Sequence, residues 1–287
     1  MNYHHFIVRP KKKISIQDFD PAWTAKYKKK EDAEEKLAED IQRLANLQDV
    51  LYAQDTYSLL IIVQAMDAAG KDGIIKHVMS GVNPQGCQVF SFKAPSAEEL
   101  NHEYLWRCVK AMPERGRIGI FNRSYYEEVL VARVHPEILA KQRLPKNVRQ
   151  GDIWKMRFDD INTMERHLVR NGTLILKFFL NVSKEEQKRR FLDRITTPEK
   201  NWKFSTADAR ERGYWSDYMH AYEEAFRHTS TSWAPWYVIP ADHKWFTRVA
   251  VADIIVSTLQ SLKLRYPAVD EERKKELLKV QKLLERE

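Results

Sequence analysis

The sequence predicts an α/β fold in which a parallel five-stranded sheet is flanked by helices. Five short runs rich in β-branched and aromatic residues alternate with segments of helical periodicity, which is typical of a parallel sheet covered by helices. The first run, 58–63, is almost uniformly apolar, as expected of a strand buried inside the sheet. The later runs are Gln88–Phe92, Arg117–Phe121, Thr173–Val182 and Pro235–Ile239.

Helical segments fill the intervals between these strands. From Glu31 to Leu51, apolar residues recur at steps of three and four positions, so they share one helical face, which we expect to pack on the core or on a second subunit. Ser183 with Glu186, and Ser205 with Asp208, are capping signals at the start of two more helices. Other segments with helical spacing are Glu98–Met112, Tyr125–Ala140, Asp152–Arg170 and Trp245–Leu262.

The length of 287 residues suits one large domain with an extension at each end. Residues 1–30 are polar and basic, with a cationic cluster at 9–13 and no periodicity, so we predict an N-terminal arm there. Residues 267–287 alternate Lys with Glu around leucines, which predicts a solvated or partner-binding helix. The main domain is therefore expected at 31–266.

Composition narrows the class of partner. The formal net charge of +8 and the pI near 9.2 favour a polyanionic partner: nucleic acid, an anionic membrane or a phosphate-rich substrate. Charge alone does not choose among the three. The sequence contains no apolar run of membrane-spanning length and no signal-peptide core at its start, so we expect a cytoplasmic protein.

The most informative segment is 58–73, where the first predicted strand is followed by a turn of small residues. In such a turn, backbone N–H groups and a helix N-terminus converge on phosphate oxygens, and Lys71 supplies a positive charge. The match to the general pattern G-x-x-x-x-G-K-[ST] is imperfect, because Ala65 and Asp72 replace the first Gly and the hydroxyl residue. An ordinary glycine turn after a core strand stays an alternative. The predicted phosphate-binding residues here are Ala68, Ala69, Gly70, Asp72, Gly73 and Lys76.

Asp67 lies inside this turn and is the candidate metal ligand. Ligands of open α/β sheets bind beyond the carboxyl ends of the strands, so Asp67 would face the space that phosphates occupy. A short carboxylate there could hold Mg²⁺ directly or through water. The alternative is a residue that only stabilises the turn.

A second group of candidates follows the third strand. Phosphoryl-transfer enzymes place an acidic metal partner at such a strand end, whereas this chain has Asn122. Glu127, one helical turn later, could compensate by holding metal or the acceptor, although a solvated helix face is the alternative. Arg123 is well placed to grip an anionic oxygen bidentately, and Arg133 follows along the chain.

A third group is the cationic segment 184–203. Together with a phosphate loop, it predicts a lid over about 184–230 that closes on transferring phosphates; without such a loop, a merely soluble charged helix would be the better interpretation. Its cations are Lys184, Lys188, Arg189, Arg190, Arg194, Lys200 and Lys203.

These segments together resemble the type 2 polyphosphate kinases, phosphate-loop enzymes related in fold to thymidylate kinase. The resemblance covers about residues 20 to 266 and implies transfer of a terminal phosphoryl group from inorganic polyphosphate to an adenine nucleotide, or the reverse, with Mg²⁺ or Mn²⁺. It rests on four motifs in order, at 66–73, 121–126, 197–205 and 233–244.

Carried over by position, Asp67 resembles the family's metal-organising acid and Lys71 its phosphate-gripping lysine. Many members have Asp where this chain has Asn122. Asn122 followed by Glu127 is similar to the subgroup that phosphorylates nucleoside mono- and diphosphates, so AMP and ADP both become candidate acceptors. The cations that resemble the family's phosphate-contacting and chain-binding residues are Arg123, Arg133, Arg189, Arg194, Lys200 and Lys203.

Two other functions stay open at this point. One is an ATP-dependent kinase acting on a nucleotide or another small molecule, in which the basic lid serves ATP alone. The other is a non-catalytic polyanion-binding protein with a vestigial loop. The resemblance favours an enzyme that acts on polyphosphate and nucleotides. We also expect a homo-oligomer, without nucleic acid or membrane partners.

Overall fold

The computed structural model describes residues 5–10, 12 and 14–287, apart from the side chains of residues 149 and 150. Part of the predicted arm, residues 1–4, 11 and 13, therefore lies outside the described residues. A five-stranded parallel sheet with strand order β2-β3-β1-β4-β5 forms the centre and confirms the predicted fold class. The strands are β1 Ser58–Ala65, β2 Cys87–Ser91, β3 Ile118–Asn122, β4 Thr173–Asn181 and β5 Trp236–Pro240, each within two residues of its predicted bounds.

The order of the strands brings three loops to one edge of the sheet. β1 lies at the centre, with β3 on one side and β4 on the other, so that Val63 pairs with Asn122 and with Phe178. Residues 58–64 of β1 are all buried, which explains why this run is so uniformly apolar. Because all strands are parallel, the segments that follow β1, β3 and β4 meet at the same edge.

Helices cover the sheet. The first helix, α1, packs on α7, which in turn packs on α2. The helices of six or more residues are α1 Glu31–Gln54, α2 Lys71–Val78, α3 Ile153–Arg170, α4 Lys184–Thr196, α5 Thr206–Glu211, α6 Trp215–Thr229, α7 Lys244–Ser261 and α8 Glu271–Leu284. Shorter α-helical segments are Trp106–Val109, Val131–Val134, Pro136–Ala140 and Lys146–Gln150, and 3₁₀ turns are Ile16–Asp18, Pro84–Gly86, Glu99–Asn101, Tyr125–Glu128, Pro198–Lys203 and Arg212–Tyr214.

Two predicted helices were wrong as continuous elements. Glu98–Met112 contains only a 3₁₀ turn and one short helical turn, because His102 between them has extended backbone geometry. Tyr125–Ala140 is divided at His135, whose φ of −117° and ψ of 86° fall outside the helical region. Pro136 follows directly, and a proline disfavours the helical conformation of the residue before it.

The N-terminal segment lies against the domain. Ile7 forms an antiparallel bridge with Tyr237, and the N–H of Val8 donates to the carbonyl of Trp236 at 2.9 Å. Phe6 and Val8 are buried in the core, which the basic composition of the segment concealed. The division at residue 31 stays a prediction.

The C-terminal helix α8, unlike the N-terminal segment, does not pack against the described residues of the domain. Every residue of α8 is exposed. Among the described residues, no helix combines the length and the apolar composition that crossing a bilayer requires.

Candidate active site

The turn after β1, which is the predicted phosphate-binding loop, contains two residues with left-handed backbone geometry. Ala68 and Gly70 have φ values of 60° and 113°, in the left-handed region, and α2 begins at Lys71. A Cβ at Gly70 would meet no atom within 4 Å, so the requirement for glycine there is conformational rather than steric. A non-glycine residue in this region is strained, and such strain is concentrated at functional sites. Residues that depart from extended geometry in this way turn their N–H groups toward a common concavity.

Lys71 is held across this loop. Its Nζ donates to the carbonyl oxygens of Ala65 at 3.0 Å and of Met66 at 3.4 Å. Burial lowers the pKa of Lys71, and the nearby carboxylate of Asp67 opposes that shift. The ammonium group has therefore lost much of its hydration, and an anionic ligand would restore the lost stabilisation.

Arg123 links the ends of β1 and β3. Its guanidinium donates to Oδ1 of Asp67 at 3.2 Å and lies 3.8 Å from Oε2 of Glu127. Burial opposes the charge of Arg123, but Glu127 and Asp67 outweigh it and raise the pKa of the guanidinium. Gln64, which sequence reasoning missed, donates to Glu127 at 2.8 Å from a fully buried position on β1. The structure thus brings three predicted site residues into one charged network.

Asn122, at the end of β3, contacts the first turn of α2. Its Nδ2 donates to Oδ1 of Asp72 at 2.8 Å. The two residues are far apart in sequence, and their contact joins the two loops that flank the cleft. Asp72, which the sequence predicted as a phosphate-binding residue, therefore stabilises this junction.

The base of the predicted lid is fastened to the loop. Arg190, only 3% exposed, donates to the carbonyl oxygens of Ala68 at 2.8 Å and Ala69 at 3.0 Å. Gln187, on the same helix, donates to the carbonyl of Asp67 at 2.9 Å. The first half of α4 is thus fastened to the loop by these hydrogen bonds.

A cleft of about 1020 Å³ opens above these contacts. Eleven of the sequence-predicted residues line it: Asp67, Ala68, Ala69, Gly70, Lys71, Asp72, Gly73, Asn122, Arg123, Arg194 and Lys203. Loop, strand end and lid therefore face one volume.

Besides Arg133, three predicted phosphate-binding cations are absent from the cleft lining. Lys76 is exposed on α2. Arg189 is 70% exposed and pairs with Glu186 at 2.6 Å, and Lys200 pairs with Asp193 at 2.8 Å. The carboxylate partners of Arg189 and Lys200 lie within the same charged segment, outside the cleft lining.

Arg133 and Glu127 also lie outside the lining. The Arg133 guanidinium is 3.9 Å from Glu224 and 5.5 Å from the ring centre of Trp154. Glu127 lies 3.8 Å from Arg123 and accepts a hydrogen bond from Gln64. The roles of these residues stay predictions.

The cleft includes residues that sequence reasoning did not select. Lys93 follows β2 and Lys244 follows β5, so a search of every strand end would have found both. Trp202 also lines the cleft and is 79% exposed. Burial, with a contribution from Asp67, raises the pKa of Asp208. The remaining unselected residues are Ile74, Ser91, Phe92, Ser205, Thr247 and Arg248.

Comparison with known proteins decides the family. Residues 27–267 match the family model described as polyphosphate kinase 2 (PPK2). The chain belongs to the polyphosphate kinase 2 family. This match spans the predicted phosphate loop, the end of β3 and the predicted lid, and it confirms the resemblance drawn from the sequence motifs.

Individual relatives cover nearly the whole chain. An ADP-polyphosphate phosphotransferase of Rhodopseudomonas palustris is 54% identical over 90% of this chain and 90% of its own length. An AMP/ADP-polyphosphate phosphotransferase of Meiothermus ruber is 44% identical over 91% and 94%. Among solved structures, polyphosphate kinase 2 from Arthrobacter aurescens TC1 superposes with a TM-score of 0.85 and 42% identity, over 94% of this chain and 93% of that one. Membership of the polyphosphate kinase 2 family makes the protein a phosphotransferase.

Proposed function

We propose that this protein transfers the terminal phosphoryl group of inorganic polyphosphate to AMP and ADP, in a reversible reaction that needs Mg²⁺ or Mn²⁺. The observation that carries the proposal is the single cleft in which Lys71, Arg123 and the lid cations Arg194 and Lys203 face one another at the carboxyl edge of the sheet. A polyphosphate chain carries about one negative charge per phosphate, and a cationic cleft attracts and holds such a chain.

The chemistry needs no covalent intermediate. An oxygen of the acceptor's terminal phosphate attacks the end phosphorus of polyphosphate, and the bond from that phosphorus to the bridging oxygen breaks, so that the shortened chain leaves. Lys71 and Arg123 neutralise the oxygens of the transferring group. The loop amides hold phosphate in line with the acceptor. The lid excludes water that would otherwise hydrolyse the donor.

Asp67 is the proposed metal-holding residue. Among the described residues, no group of three or more His, Cys, Asp and Glu side chains comes together as a metal site. Magnesium is commonly bound by one or two carboxylates while substrate phosphates and water complete its shell, so a single aspartate on the cleft wall fits it. When bound, the ion would neutralise charge on the phosphates and orient them.

Asn122 and Glu127 are the proposed determinants of the acceptor. Glu127 adds a carboxylate behind Arg123, and Asn122 replaces a charge at the strand end with a neutral amide, which weakens repulsion of an incoming nucleotide phosphate. The relatives are named for ADP in one case and for AMP and ADP in the other, which supports both acceptors. A homo-oligomer in the cytoplasm, without nucleic acid or membrane partners, stays a prediction.

A product analysis tests this proposal. Purified protein is incubated with polyphosphate, a divalent metal and either AMP or ADP, and nucleotides are separated by anion-exchange chromatography. We expect ADP from AMP and ATP from ADP. Turnover only when ATP is the donor would favour the nucleotide-kinase alternative, and binding of duplex DNA without any turnover would favour the polyanion-binding alternative.

A further inference from the structure

A buried polar cluster lies beneath the loop that carries Arg123. Tyr125 and Tyr126, which follow closely in the sequence, both donate their hydroxyl hydrogens to Oε1 of Glu165 on α3, each at 2.8 Å. The other oxygen of Glu165 accepts from Nζ of Lys177 on β4 at 2.6 Å. Exposure of these four residues does not exceed 2%, and none of them lines the cleft.

The cluster joins the loop to three other elements. Besides Glu165, Nζ of Lys177 donates to the hydroxyl oxygen of Tyr126 at 3.0 Å and to the carbonyl oxygen of Thr229 at 2.7 Å. Thr229 ends α6, the helix that follows the lid. The loop after β3 is therefore held by α3, by a strand beside the central β1, and by the end of α6.

Stability alone is a poor explanation for this arrangement. Burying an ion pair costs solvation, and well-packed apolar residues of similar volume are often equally stabilising. The loop above the cluster, however, contains a conformation that must be held. Arg123 has a φ of 64°, in the left-handed region, and a non-glycine residue persists there only when its surroundings fix it.

We propose that Glu165, Lys177 and the hydroxyls of Tyr125 and Tyr126 are positioning residues that hold Arg123 in its left-handed conformation, aimed at Asp67 and the cleft. The inference rests on the proposed function, in which the Arg123 guanidinium neutralises the transferring phosphoryl group. A loop displaced by about 1 Å would leave substrate binding largely intact and slow the chemical step, because catalysis depends steeply on such placement.

The test uses Tyr126→Phe, which removes one hydroxyl and preserves the ring. Tyr125→Phe is a second, separate variant with the same rationale. Glu165→Gln is avoided as the primary test, because it leaves Lys177 buried without its counter-charge. The matched control is Thr173→Val, which removes a hydroxyl from a buried hydrogen bond to Ser58 at 3.0 Å, at the opposite end of the sheet from the cleft.

We expect each Phe variant to lower kcat about 10- to 100-fold, with the KM values for ADP and polyphosphate changed less than about twofold. Thr173→Val should keep the kcat of the unmodified protein at a comparable loss of Tm. A kcat that simply follows the loss of Tm in all variants would overturn the positioning role.

A double-mutant cycle separates positioning from general damage. In an Arg123→Lys background, Tyr126→Phe should have less than about a twofold further effect, because the group it positions has already been replaced. If Tyr126→Phe lowered kcat by the same factor in the unmodified protein and in the Arg123→Lys background, the result would contradict the inference. Absence of polyphosphate-dependent turnover in the unmodified protein would instead overturn the proposed function, and the inference with it.

Discussion

The two walls of the cleft are built differently. The strand wall, which comprises the loop after β1 and residues 122–127, holds its charged groups by contacts to the sheet and to one another: Lys71 to loop carbonyls, and Arg123 between Asp67 and Glu127. The lid wall, residues 184–214, carries cations that pair mainly within the lid itself. Arg194, for example, donates to the carbonyl of Lys203 at 3.3 Å.

This difference matches the demands of the two tasks. Transition-state stabilisation requires groups placed before the substrate arrives, which suits the strand wall. A flexible polyanion of variable length requires charge more than exact placement, which suits exposed lysines and arginines. Substitutions in the strand wall should therefore act mainly on kcat, and those in the lid wall mainly on binding.

The largest effect is expected for Lys71→Ala. Loss of the cation that faces the transferring phosphoryl group should lower kcat about 10³-fold. The fold should persist, because the hydrogen bonds that the Lys71 ammonium makes among the described residues go to two carbonyl groups of its own loop. A coupled ATP assay gives kcat, and circular dichroism checks the fold. The control is Lys76→Ala, one turn later on α2 and exposed; an unchanged kcat for Lys71→Ala would place the phosphate site elsewhere.

Arg190 and Arg189 offer a matched pair that tests where the lid is anchored. Both contact Glu186, but Arg190 is buried and also donates to the loop carbonyls of Ala68 and Ala69. Arg190→Met should lower the free energy of unfolding by about 2–3 kcal/mol, because those carbonyls and Glu186 lose a buried partner. Arg189→Met should leave it nearly unchanged. Chemical denaturation measures both, and similar losses for the pair would refute the anchor.

Salt should act on the lid wall more than on the strand wall. Exposed charges are screened as ionic strength rises, so the KM for polyphosphate should increase several-fold between about 0.05 and 0.5 M salt. The KM for ADP, whose phosphates meet the buried ammonium group of Lys71, should rise less. Steady-state kinetics at several salt concentrations give both values, and parallel responses would remove the distinction between the walls.

The alkaline pH response reports on Lys71. Burial lowers its pKa, so the free protein loses this positive charge as pH rises through a value below that of an ordinary lysine, and kcat/KM should fall there. Lys71→Arg, whose guanidinium stays protonated, should lack this alkaline decrease even if its overall activity is lower. The same decrease in both proteins would assign it to another group.

The smallest effect is expected for Asn122→Asp. A carboxylate would face Asp72, to which the amide of Asn122 donates, and their repulsion would shift the strand end. The ratio of kcat/KM for AMP to that for ADP should change a few-fold. Asn122→Ser, which keeps a neutral donor, serves as the control. Identical ratios in all three proteins would exclude Asn122 from acceptor choice.

Local sequence patterns predicted most of the fold. Each strand is marked by its own apolar run, and for this reason the bounds were accurate to within two residues. The segment 125–140 was mispredicted because helical spacing continues through His135, where the following proline disfavours helical geometry. Pro136 is the local signal for this break, whereas the hydrogen bonds that both tyrosines of the first turn donate to Glu165 join residues far apart in the sequence.

Site residues could be predicted from the sequence where they directly follow a strand. The loop and the residues after β3 follow strands directly, and they reach the cleft as expected. Pairings between distant residues, such as Gln64 with Glu127 and Asn122 with Asp72, leave no trace in spacing. The sequence shows that the lid is rich in cations, but it does not show where each one points. Arg189 faces solvent and Arg190 faces a loop carbonyl, and this difference depends on packing.

The N-terminal strand segment has a practical consequence for handling the protein. Residues 6–8 occupy the outer hydrogen-bonding edge of β5. An uncovered edge is a template for pairing with other chains, so deletion of these residues would promote aggregation through β5. Fusion tags and surface attachment are better placed after α8, where every described residue is already in solvent.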